Sequence, residues 1–111
     1  MKQGEIYLVQ YDPSVGYEYK KTRPAIILSS EKNLKESNLV TVMAITGNTE
    51  SPISDDILIR KDSENRLISD SLIKAHHISS FDKSRMIKYI GIVSDEILRK
   101  IKHYLKIHFD L

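Results

Sequence analysis

Two short apolar runs, held apart by a segment too charged to be buried, set the terms for the N-terminal part of this chain. Glu5-Ile6-Tyr7-Leu8-Val9-Gln10-Tyr11 is β-prone, Asp12-Pro13-Ser14-Val15-Gly16 interrupts it, and Pro24-Ala25-Ile26-Ile27-Leu28 resumes as a second run. Between them, Tyr17-Glu18-Tyr19-Lys20-Lys21-Thr22-Arg23 carries one carboxylate, three cations, a hydroxyl and two aromatics. Charged side chains rarely sit fully in a core, so this stretch is expected at the surface as a long connection. Connections of that length are often functional.

The remainder follows the same short-strand pattern. In the first run Ile6, Leu8 and Gln10 share one face and Tyr7, Val9 and Tyr11 the other, so both faces are apolar. Asp12-Pro13 ends that strand, Gly16 allows a positive φ, and Arg23-Pro24 opens the next strand with Pro as a first residue. Residues 30–38 are polar and break the periodicity. Leu39-Val40-Thr41-Val42-Met43-Ala44-Ile45 is a third strand, stopped by Thr46-Gly47-Asn48, and residues 49–55 read as an irregular loop around Pro52. Further strands are expected over residues 56–60, 71–78 and 88–93, with a polar turn at 61–65 and one helical turn at 82–85. Ser94 is an N-cap followed by Asp95 and Glu96, and Ile97, Leu98, Ile101, Tyr104 and Leu105 recur at helical spacing. Short strands and one closing amphipathic helix imply a mainly β fold, a small, mostly antiparallel, curled sheet or barrel.

Composition narrows the function classes. The 111 residues, without repeat, linker or low-complexity tract, fit one domain over 1–111. Hydrophobic residues at 41% and charged residues at 29% mark a globular chain. A net charge of +2 permits a nucleic-acid partner without requiring one. The absence of Cys excludes a disulfide framework and a Cys-ligated zinc site. The first strand starts almost at once and no apolar run approaches the ~18 residues of a membrane span, which makes the cytoplasm the default expectation. No P-loop, G-x-G-x-x-G, H-E-x-x-H or G-x-S-x-G motif occurs, so no cofactor or metal is expected.

Several segments, in order, resemble the MazF/PemK family, the ribonuclease halves of bacterial toxin–antitoxin pairs. Asp12-Pro13-Ser14-Val15-Gly16-Tyr17-Glu18 and Arg23-Pro24-Ala25-Ile26-Ile27-Leu28-Ser29 are similar to its opening motif, and Lys2-Gln3-Gly4-Glu5-Ile6-Tyr7 to its start. Ala44-Ile45-Thr46 resembles the third-strand end, and Ile78-Ser79-Ser80-Phe81-Asp82-Lys83-Ser84-Arg85 the segment before the last strand. Gly91-Ile92-Val93-Ser94-Asp95-Glu96 resembles the lead into the final helix. The resemblance implies an SH3-like barrel of the MazF/PemK/CcdB type that pairs as a homodimer. It further implies metal-independent cleavage of single-stranded RNA at short sequences, leaving a 2′,3′-cyclic phosphate and a 5′-hydroxyl, under control of a cognate antitoxin. By position, Arg23 corresponds to the catalytic arginine, Thr46 to the catalytic threonine and Glu18 to a loop glutamate implicated in some members.

The residue types suit that chemistry. As a 2′-hydroxyl attacks the neighbouring phosphate, charge builds on the non-bridging oxygens, and a guanidinium can meet two of them at once. A threonine hydroxyl can donate to the same phosphate and hold it in line. Glu18 is either the base for the 2′-proton or, because Lys20, Lys21 and Arg23 favour its charged form, the residue that orients Arg23. Many relatives carry Ser-Glu-Gln where this chain has Tyr17-Glu18-Tyr19, a small or Gly-rich pair before Arg-Pro, and Gln-Ile-Arg-Thr where His77-Ile78-Ser79-Ser80 stands. A plasmid-borne branch has an Arg-x-Asp acid/base pair where this chain has Lys74 and His76, so His76 is an alternative base.

Tyr17, Tyr19, Lys20, Lys21 and His77 are the candidate RNA contacts, through base stacking and charge. Each has a plainer reading, the tyrosines as a cover for a core edge and Arg23 as an exposed cation. His76 and His77, adjacent on a strand, point to opposite faces and cannot share one metal. Arg99, Lys100, Lys102 and Lys106 read as the solvated face of the last helix. Two alternatives share the fold: a gyrase-poisoning toxin without nuclease activity, and a weakened relative that only binds RNA or antitoxin.

Overall fold

The structure, a computed structural model, describes residues 1–11 and 22–111. Its elements are β1 (Glu5–Gln10), β2 (Thr22–Ile27), α1 (Glu31–Glu36), β3 (Leu39–Thr46), β4 (Ile57–Ile59), β5 (Ser71–Asp82), a 3₁₀ turn (Lys83–Arg85), β6 (Met86–Ile92) and α2 (Asp95–His108). The strands form one antiparallel sheet in the order β4-β5-β3-β2-β1-β6. This is the mainly β architecture with a C-terminal helix that the sequence predicts.

Both faces of the sheet are apolar, as the alternation in the first run requires. Ile6, Ile26, Met43, Ile45, Ile73 and Ala75 form one core cluster beneath α2, which inserts Ile101 and lays Ile97, Leu98, Tyr104 and Leu105 beside it. Val9, Ala25, Ile27, Val40, Val42 and Met86 form a second cluster on the opposite face, with Tyr7, Tyr11 and Phe81 packed against it and Leu34 of α1 inserted. The Ser94 hydroxyl accepts from the Ile97 N–H at 3.2 Å, so the helix begins where the capping signal places it.

The largest differences from the sequence reading are a missed helix and the bounds of three strands. Residues 30–38 hold α1, capped by Ser30, whose hydroxyl accepts from the Asn33 N–H. A six-residue helix is too short to show its period in sequence. Pro24 is the third residue of β2 and not its first, and pairing with β3 starts one residue later, at Ala25. β6 starts at Met86, ahead of residue 88. β5 runs on past residue 78 to Asp82, paired with β3 as far as Leu39, and its register slips within the expected span: Met43 faces Ile78 while Ala44 faces Lys74, leaving Ala75, His76 and His77 without opposite numbers. This bulge interrupts the strict alternation along the strand.

The curl is closed by the turn after β4. Asn65 is buried there; its side-chain N–H donates to the Arg60 carbonyl at 2.9 Å and its oxygen accepts from the N–H groups of Asp62 and Leu67. The Ile92 N–H of β6 donates to the Glu64 carbonyl at 3.0 Å, so the turn bridges toward the far edge strand. Gly91 makes the approach possible, since a Cβ there would lie 2.4 Å from the Glu64 carbonyl oxygen.

Candidate functional site

Ala25, Ala44 and Lys74 lie in one row across β2, β3 and β5. Arg23 stands two residues before Ala25 and Thr46 two residues beyond Ala44, so the period of the strand puts both on that same face. Ala44 adds only a methyl group to the floor. The resulting cleft is lined by Arg23, Ala44, Thr46, Asn48, Ser51, Lys74 and His77, together with Ile45. Residues far apart in sequence thus meet with two cations, an imidazole and two hydroxyls.

Thr46 is held by its own turn. Its Oγ1 accepts from the Asn48 N–H at 3.2 Å, and the Asn48 side chain accepts from the Glu50 N–H at 3.0 Å. Accepting uses a lone pair and leaves the hydroxyl proton for a ligand. Lys74 is anchored from behind, its ammonium 2.7 Å from the Asp56 carboxylate, whose side chain is only 1% exposed. That carboxylate also accepts from the Ile53 N–H at 2.9 Å. Burial pushes the Asp56 carboxyl up, but the hydrogen bonds from Lys74 and Ile53 and the charges of Lys74 and His76 outweigh it and hold the group below its usual range.

The two histidines part company. His77 lines the cleft. His76 turns toward α2, its Nε2 2.9 Å from the Asp55 carboxylate and its Nδ1 3.3 Å from the Tyr104 hydroxyl, which also lies 3.2 Å from Nδ1 of His108. The structure therefore brings together Arg23, Thr46 and His77 but not His76. Glu18, Tyr17, Tyr19, Lys20 and Lys21 lie outside the described residues, as does the turn at 12–16. Lys74, Asn48, Ser51 and the buried Asp56 extend the site beyond the residues chosen from sequence. Only Lys74 had a signal there, its place beside His76. Among the described residues, no three His, Asp or Glu side chains are grouped to hold a metal ion.

The chain is similar to known proteins along its whole length. A family model described as PemK-like, MazF-like toxin of type II toxin–antitoxin systems matches residues 2–109. The chain is 30% identical to Endoribonuclease MazF of Staphylococcus saprophyticus over 112 residues, covering 100% of this chain and 92% of that protein. It is also 30% identical to Endoribonuclease MazF9 of Mycobacterium tuberculosis over 116 residues, covering 100% and 98% respectively. Among solved structures, a MazE–MazF crystal form from Deinococcus radiodurans superimposes with a TM-score of 0.81 at 17% identity, over 100% of this chain and 97% of that one. An endoribonuclease in complex with its cognate antitoxin from a mycobacterial species gives 0.77 at 21% identity, over 100% and 96%. At those identities the superpositions establish the fold.

Proposed function

The chain belongs to the PemK-like, MazF-like toxin family of type II toxin–antitoxin systems, and we propose that it is an endoribonuclease whose substrate phosphate enters the Arg23–Thr46 cleft. The observation that carries this reading is the convergence of Arg23, Thr46 and Lys74 on one shallow-floored cleft. The substrate is single-stranded RNA, chiefly mRNA, and the place of action is the cytoplasm, where that RNA is met. A cognate antitoxin restrains the toxin, a reading that the neighbour solved with its antitoxin supports, and the toxin works as a homodimer, as the family resemblance implies.

In the proposed reaction the ribose 2′-oxygen forms a bond to phosphorus and the bond to the 5′-oxygen breaks. The products are a 2′,3′-cyclic phosphate and a 5′-hydroxyl. One proton leaves the 2′-oxygen for a base and one reaches the departing 5′-oxygen, so the scheme balances without metal or cofactor. Arg23 meets the charge that develops on the non-bridging oxygens, and Thr46 donates its free hydroxyl proton to the same group. Lys74 adds a point charge, and its tie to Asp56 fixes where that charge sits. Proton transfer falls to Glu18 or His77, because His76 is committed to Asp55 outside the cleft.

The test incubates wild type, Arg23→Ala and His76→Ala with a long mixed-sequence RNA in EDTA and maps the product ends. Wild type and His76→Ala should cut at a recurring short motif and leave cyclic phosphates. Arg23→Ala should lose cleavage by about 10²-fold or more while its melting temperature and dimer mass stay unchanged. An Arg23→Ala protein that still cuts would remove the cleft from the mechanism. No cleavage by well-folded wild type would favour a binding toxin, with gyrase as the next partner to assay.

A further inference from the structure

His76 takes no part in the cleft, yet its ring is held on several sides. Tyr104 and His108 of α2 stack with centroids 5.2 Å apart and planes at 17°, and the His76 ring meets both edge to face, at 5.7 and 5.9 Å. Its Nδ1 lies 3.3 Å from the Tyr104 hydroxyl and its Nε2 2.9 Å from the Asp55 carboxylate. A carboxylate only accepts, so Nε2 carries the proton of that bond. At this point β5 has no opposite residue in β3, and the helix rings supply the bracing that the ladder omits.

What His76 grips is the turn before β4. Lys74 and His76, two residues apart on β5, bind consecutive residues of that turn, Lys74 at Asp56 and His76 at Asp55. The turn is closed on itself: the Asp56 carboxylate accepts from the Ile53 N–H at 2.9 Å, and the Asp56 N–H donates to the Ile53 carbonyl at 3.0 Å. Pro52 stands directly before it, and its ring fixes its own φ and narrows the conformations open to residue 51. Ser51 is exposed and lines the cleft with Lys74 and His77. The two clasps thus reach the cleft by different routes, the buried one through Lys74 itself and the outer one through the turn that leads to Ser51.

We propose that His76 is a positioning residue for RNA binding: through Asp55 it fixes the orientation of the 53–56 turn, so that the Ser51 hydroxyl stands at the cleft as a hydrogen-bond donor to the RNA backbone. This role presupposes the Arg23–Thr46 cleft as the RNA site. One attachment at Asp56 leaves the turn free to pivot, and a second at the adjacent residue removes that freedom. The side chains of the outer pair are 42% and 47% exposed, and ion pairs so placed add little to stability. Their effect therefore falls on where Ser51 sits and not on whether the chain folds. The chemistry stays with Arg23 and Thr46, and a contact made alike to bound RNA and to the transition state is read in KM and not in kcat.

The test measures kcat, KM and melting temperature on a short RNA carrying the motif mapped above, for wild type, Asp55→Ala, Asp55→Asn, His76→Phe, Ser51→Ala, the double variant Ser51→Ala/Asp55→Ala, and Arg23→Ala. His76→Phe keeps a ring against Tyr104 and removes the bond to Asp55. Asp55→Ala, His76→Phe and Ser51→Ala should each raise KM about tenfold, the size of one lost hydrogen bond, at the wild-type kcat and melting temperature. The double variant should be no worse than either single change, because both remove the same contact. Asp55→Asn keeps an acceptor oxygen for Nε2 and should return KM close to the wild-type value. An unchanged KM in Asp55→Ala, losses that multiply in the double variant, no recovery in Asp55→Asn, or a raised KM that comes with a lowered melting temperature would overturn the positioning role while leaving the cleft in place. An inactive wild type or an active Arg23→Ala would overturn the cleft itself, and this role with it.

Discussion

Lys74 and Arg23 face the same cleft under different constraints. Arg23 is exposed at the start of β2, whereas Lys74 is tied to a carboxylate that is almost wholly enclosed. Breaking a buried pair costs more than breaking an exposed one, since it strands the remaining charge. Asp56→Asn should therefore destabilise the protein at neutral pH by about 1–3 kcal/mol and should also loosen Lys74 in the cleft. The acid response tests the origin of that loss. The folded Asp56 carboxyl titrates below its ordinary value of 3.8, so its stabilisation is fully present above that pH and disappears as pH falls through the lower folded value. Wild type should lose stability below about pH 4 more steeply than Asp56→Asn, as followed by denaturant unfolding across that range. Parallel curves for the two proteins would show that the pair does not carry the acid sensitivity. Arg23 and Thr46 were singled out in sequence because they stand where the MazF/PemK resemblance puts the catalytic arginine and threonine; Asp56 was not, because burial of a loop carboxylate has no local signature.

At the scale of elements, β5 does most to arrange the site. Its bulge at Ala75, His76 and His77 accompanies the turning of one histidine into the cleft and the other toward α2. Strand alternation alone predicts opposite faces for the pair; it does not predict which face holds the cleft. α2 was read closely from sequence, since its cap, its acidic first turn and its apolar spacing all agree. The Ser94 cap bond to Ile97 should contribute about 1 kcal/mol, and Ser94→Ala should lower the unfolding free energy by that amount without altering cleavage. A Ser94→Ala protein as stable as wild type would show that packing of Ile101 alone holds the helix start. α1 escaped notice because six residues with one buried leucine leave too little pattern to detect.

For the molecule as a whole, the critical contact lies between the turn after β4 and the opposite edge strand. Gly91 lets the backbone at Glu64 and Asn65 come against β6, and both neighbours of a new Cβ would be main-chain atoms that cannot swing aside. Gly91→Ala should destabilise the fold by about 3 kcal/mol, measured by chemical unfolding, with the loss spread over the whole sheet because both edges depend on the contact. An unchanged midpoint would mean that the turn can withdraw without cost. No helix among the described residues is long and apolar enough to cross a membrane.

The sequence by itself determined the class of the fold, the order of the strands and the closing helix, the two apolar faces and the family resemblance, because each of these is written in local periodicity, turn residues and ordered motifs. It also singled out Arg23 and Thr46. Only the tertiary structure decided that Lys74 and His77 join them while His76 does not, and that Asp56 is buried behind Lys74. Those facts depend on register between strands distant in sequence, where a slip at one bulge or a neighbouring ladder settles which side chains meet, and no local pattern encodes that choice.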